Sequence, residues 1–60
     1  MTDLEVTEFV SEINVVRENM EQHGGHFVQG LAKALMYADL KNALRIKETF
    51  PELWQTYLNW

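Results

Sequence analysis

His23 and His26, three positions apart on either side of a glycine pair, are the side chains in this sequence best suited to chemistry. Neutral imidazoles so spaced, with Glu21 close by, could begin a metal site, because imidazole and carboxylate both ligate zinc. A closed site needs about four ligands, and no cysteine or third histidine supplies the rest. Such a pair is more often a set of polar helix-end residues, and an imidazole near a helix C-terminus suits the negative end of the dipole. The sequence therefore predicts no metal and no cofactor.

Nucleophilic catalysis requires a hydroxyl or thiol beside a base and an orienting acid. The available set is Ser11, in the middle of an acidic stretch, and the two histidines. The carboxylate pairs Glu8/Glu12 and Glu18/Glu21 have helical spacing and read as solvated faces. A chain this short also has little volume for a substrate pocket of roughly 300 Å³. No catalytic residue is assigned, and a non-enzyme is expected.

Lys41 and Arg45 lie one turn apart on a segment that follows a tight turn at Ala38-Asp39, the layout of a helix-turn-helix reader. Five basic residues against nine acidic ones, a net charge of −4, leave few phosphate contacts. The turn also lacks the usual glycine. A small DNA-binding transcriptional regulator is thus the alternative function, with nucleic acid disfavoured as a ligand.

The elements that must position these groups are bounded by length and composition. Sixty residues make one domain, residues 1–60, and such a chain buries only about 60% of the surface its unfolded form exposes. With 47% hydrophobic and 23% charged residues the chain lies on the folded side of the composition boundary. Small domains supplement a thin core with disulfides, a metal or a partner chain. Cysteine is absent, so oligomerisation is the expected supplement. No apolar run approaches the roughly 20 residues of a membrane span. The start, Met1-Thr2-Asp3-Leu4-Glu5, is acidic where a secretory signal is basic and then apolar. A cytoplasmic chain with no membrane partner is expected.

Pattern predicts an all-α bundle of three to four helices, at about residues 3–22, 26–38, 40–48 and 50–58. Thr2 and Glu5 form a capping box, and Val6, Phe9, Ile13, Val16 and Met20 recur at spacings of three and four beside Val10. Gly24-Gly25 is expected to stop this acidic helix through a left-handed cap. Phe27, Val28, Leu31, Ala34, Leu35 and Ala38 form the stripe of a second helix. Asp39 caps a third, with Leu40, Ala43, Leu44 and Lys47 on one side. Pro51 fits a first turn, and Thr49 with Glu52 suggests a second capping box. The last helix sets Trp54, Tyr57 and Leu58 on one face with Phe50, an aromatic lid over the preceding hairpin.

Charge is segregated along the chain. Residues 1 to 22 hold six acids and one base, net −5, and residues 23 to 60 hold three acids and four bases, net +1. On the first helix Leu4 and Val15, eleven residues apart, align after three turns on the side opposite the main stripe. A helix lying once against its own core needs one stripe, so this second face is read as an interaction surface. Trp54 and Trp60 join Leu4 and Val15 as interaction residues, because aromatic residues and Met are enriched at interfaces.

The pattern Phe27-x-x-x-Leu31-x-x-Ala34-Leu35-x-x-Ala38-Asp39-x-x-Asn42-x-x-x-Ile46-x-x-x-Phe50-Pro51-Glu52-x-Trp54-x-x-Tyr57 resembles short helical proteins encoded by bacteriophages and prophages. The resemblance covers residues 27–57, about half the chain, and implies a mobile-element origin without catalytic residues to carry over. Together these features predict a non-catalytic protein–protein interaction module. It is expected to form a homodimer or higher homo-oligomer, and a phage origin implies that it binds or inhibits a host or defence protein in the host cytoplasm.

Overall fold

Thr2 starts the longest helix through its side chain. Its Oγ1 accepts from the Glu5 backbone N–H at 3.2 Å, and the hydroxyl donates to Glu5 Oε1 at 3.1 Å. One backbone N–H that the helix would otherwise leave open is thereby engaged, and the Glu5 carboxylate holds the capping hydroxyl in place. The computed structural model describes residues 2–60; Met1, part of the acidic start, lies outside the described residues. Four α-helices follow in order: α1 (Asp3–His23), α2 (His26–Tyr37), α3 (Leu40–Thr49) and α4 (Pro51–Leu58). The all-α bundle expected from pattern is the observed fold, with helix ends within a residue or so of those expected.

Gly24 ends α1 for a different reason from the one its type suggests. Its backbone is extended, at φ −86° and ψ 155°, and no described residue has a positive φ. What Gly24 provides is space. A Cβ there would stand 2.6 Å from the Met20 carbonyl oxygen and 2.7 Å from Val28 Cβ, with Val28 Cγ1 closer still. The absent side chain lets α2 turn back tightly against the end of α1, and Gln29 Nε2 secures the corner by donating to the Gly24 carbonyl at 3.0 Å.

Asp39 caps α3, its Oδ1 accepting from the Asn42 N–H at 2.8 Å. The capping box expected from Thr49 and Glu52 does not form. α3 runs through Thr49, so the N-cap of α4 falls on Phe50, at φ −124° and ψ 60°, with no side-chain cap. Pro51 occupies the first turn of α4 as expected, where a missing N–H leaves nothing unpaired.

α1 is the spine. Its 21 residues give a length of about 31 Å at 1.5 Å per residue, which accounts for most of the molecule's 34 Å long axis. α2 packs along it most extensively, α4 next, and α3 bridges α2 and α4. The core is Phe9, Val16 and Met20 from α1, Ala32 and Leu35 from α2, Ala43 from α3, and Trp54 and Tyr57 from α4.

Two expected faces are corrected. The buried side of α2 is centred on Ala32 and Leu35, with Val28 and Leu31 packed beside them, whereas Phe27 and Ala34 are exposed. α1 lies on the Ala32 side, which turns Phe27 and Ala34 outward. α4 packs chiefly on α1, so its aromatic face completes the core along the spine instead of covering the α2–α3 hairpin.

Candidate interaction surface

The polar residues around the core decide which side of α1 is occupied. Glu12 sits three residues after Phe9 and four before Val16, beside the buried stripe. Its Oε1 accepts from Trp54 Nε1 at 2.5 Å and from Lys47 Nζ at 2.8 Å. The ammonium of Lys47 also stands 5.5 Å from the Phe9 ring centroid and 5.9 Å from that of Trp54, within cation–π range. Burial pushes the Glu12 carboxyl up, but the hydrogen bonds from Lys47 and Trp54 and the Lys47 charge outweigh it, leaving the pKa below the ordinary glutamate value. Asn19, on the same side of α1, donates from Nδ2 to the Tyr57 carbonyl at 2.7 Å. Glu12 is therefore an anchor between helices, not one of a solvated Glu8/Glu12 pair.

With this side of α1 filled by α2, α4 and the Glu12 group, the opposite side is open. Leu4 is 68% exposed and Val15 43% exposed. Ser11 between them and the flanking Glu8 and Glu18 are exposed too. The face holds two apolar side chains about 16 Å apart along the axis, edged by carboxylates. Among the described residues, Glu12 and Glu21 are the α1 acids in ion pairs, Glu21 with Arg17 at 3.0 Å; Asp3, Glu5, Glu8 and Glu18 are not.

The two tryptophans expected at an interface part company. Trp54 is 1% exposed and lies in the core, because α4 turns its aromatic face onto α1 and Glu12 satisfies the indole N–H. It is not a surface residue. Trp60 is 59% exposed yet engaged within the chain. Its ring stacks on His23 at 4.6 Å between centroids and 11° between planes, and on Tyr57 at 5.2 Å and 4°. His23 thus serves as an aromatic partner at the end of α1, and His26 opens α2. Among the described residues no three His, Asp or Glu side chains gather as a ligand set.

Lys41 and Arg45 are both exposed on α3. A groove of about 260 Å³ opens between α3 and α4, lined by Leu44, Lys47, Glu48, Pro51, Trp54 and Gln55. None of these residues is a hydroxyl or thiol nucleophile. No helix among the described residues is long and apolar enough to cross a membrane.

Sequence reasoning missed a second open face, on α2. Phe27, Gly30, Ala34 and Tyr37, at spacings of three, four and three, lie opposite the buried Ala32 and Leu35, and all are exposed. The available signal was that α2 carries apolar residues nearly all round, more than one packed side requires. No protein-family model, curated protein or solved structure matches the chain at a significant level.

Proposed function

We propose that this chain is a non-catalytic protein-binding module that self-associates through the outward side of α1. The observation that carries the reading is the exposure of Leu4 and Val15 on the side of α1 turned away from Phe9, Val16 and Met20. A helix can satisfy its own fold with one buried stripe, and a second apolar line is surplus to that need. The small core supports the same reading, since a domain of this size gains stability from a second chain. The likeness of residues 27–57 to short phage-encoded helical proteins supports a host protein as the further target. The absence of cysteine leaves the compartment open, and the host cytoplasm is the location that the phage likeness proposes.

Leu4→Glu/Val15→Glu is the direct test, because both positions are solvent-exposed in the single chain and neither substitution disturbs its core. The double variant should keep its helical circular dichroism and sediment as a monomer under conditions where the unchanged chain is associated. A double variant that remains as associated as the unchanged chain would remove α1 from the interface.

A further inference from the structure

Gly30 is an anomaly inside a helix. Glycine in a helix interior is about 1 kcal/mol less favourable than alanine, and such a position is normally explained by a neighbour pressing on the backbone. Gly24 has such a neighbour. Gly30 has none, since a Cβ there would meet no heavy atom within 4 Å. The chain therefore gains nothing internally from a bare backbone at this point.

The surroundings of Gly30 are those of a helix-docking surface. Phe27, 62% exposed, and Tyr37, 78% exposed, stand at the two ends of one line, about 15 Å apart along the axis. Gly30 and the exposed Ala34 form a shallow stretch between them. Phe27 is held from one side by an edge-on contact with Phe50, at 5.8 Å between centroids. Bare backbone between two rings lets another helix approach closely while the rings close over its sides.

Charge identifies the occupant. α2 contains no acidic residue and carries Lys33 on its exposed side. The outward face of α1 carries Glu8 and Glu18 without ion-pair partners among the described residues, on either side of a line that also has large residues at its ends and a small one, Ser11, between. The two faces match in length and oppose in charge. Two α1 faces brought together would instead set glutamates against glutamates.

We infer that the surface receiving α1 is the Phe27–Gly30–Ala34–Tyr37 face of α2 in a second copy of the chain. This rests on the self-association proposed above and names its other half. The contact is heterologous, because it joins an α1 face to an α2 face and each copy offers one of each. Association of the unchanged chain then continues head to tail beyond the dimer.

The test uses two variants that block different halves. Leu4→Glu/Val15→Glu removes the α1 face and leaves α2 intact. Gly30→Glu places a charged side chain in the shallow stretch, against the incoming carboxylates, while improving helix propensity, so the fold survives. Circular dichroism and melting establish that both are folded. Each variant alone should associate at least about tenfold more weakly than the unchanged chain, and an equimolar mixture should form a one-to-one complex through the two faces left intact. If Gly30→Glu associates like the unchanged chain, α2 is not the receiving face, although the α1 reading stands. If both variants are monomeric and stay so when mixed, the two faces are not complementary halves of one contact and the inference is overturned. If the unchanged chain is itself monomeric, the self-association reading fails first.

Discussion

Trp54 Nε1 and Lys47 Nζ converge on one oxygen, Glu12 Oε1, at 2.5 and 2.8 Å. That single acceptor joins α4 and α3 to α1. It lets a chain with a thin core place its largest side chain inside with the indole N–H paired, and it fixes which side of α1 faces inward. That orientation leaves Leu4 and Val15 on the outward side.

Replacing Glu12 should loosen all three helices together. Glu12→Gln keeps an acceptor for Trp54 but removes the charge that holds Lys47, and hydrogen bonds to charged groups are worth roughly 1.5–3 kcal/mol. A fall in melting temperature of several degrees is expected near neutral pH, where Lys47→Met, which keeps the packing over the rings, should reproduce much of it.

Acid should act through the same group. The Glu12 carboxyl has its pKa lowered in the folded chain from the ordinary value of 4.5. A depressed carboxylate contributes stability that is fully present above the unfolded pKa and is lost as pH falls through the folded one. Melting temperature followed downward from neutrality should begin to drop near pH 5, and Glu12→Gln should show a shallower drop. Equal acid limbs in the two proteins would count against this role for Glu12.

The glycines should respond in opposite directions to alanine. Gly24→Ala drives a methyl into the Met20 carbonyl and Val28, and overpacking of this kind costs about 1–3 kcal/mol. Gly30→Ala meets nothing and should stabilise the monomer by about 1 kcal/mol. In a domain of this size that difference separates the two melting temperatures by about 10 °C or more.

Trp54 and Trp60 should be separable by emission and by stability. Trp54→Ala removes a buried indole and should cost about 3–5 kcal/mol, enough to unfold much of a marginal domain. Trp60→Ala loses one stacked contact on each side and should cost about 1 kcal/mol. In Trp60→Phe the remaining fluorescence should be blue-shifted and resist quenching by acrylamide; in Trp54→Phe it should be quenched readily.

What the sequence made legible was what is local. Thr2 and Asp39 cap their helices through residues three positions away, and Pro51 marks a first turn by its own geometry. The stripe of α1 was legible because Phe9, Ile13, Val16 and Met20 are large and recur at spacings of three and four. α2 was not, since Ala32 and Ala34 are equally apolar and only the position of α1 selects Ala32. The cap of α4 depended on where α3 stops, a competition between Thr49 as a helix residue and as a cap that neighbouring sequence does not settle. Glu12 and Lys47 lie far apart in the chain and meet because α3 is held between α2 and α4, which brings Lys47 to α1. Of the residues read as interaction sites, Leu4 and Val15 are exposed as periodicity implied. Trp54 was misplaced because amphipathic spacing identifies an apolar face without saying what covers it.

If the outward face of α1 binds a second copy, the average mass of the unchanged chain must rise with its concentration. Sedimentation equilibrium at moderate ionic strength should give a mass that rises with concentration from 7.1 kDa through the dimer value and beyond, with the rise weakened by added salt as the α1 carboxylates are screened. A mass that stays at 7.1 kDa over the whole accessible range would rule out self-association through α1.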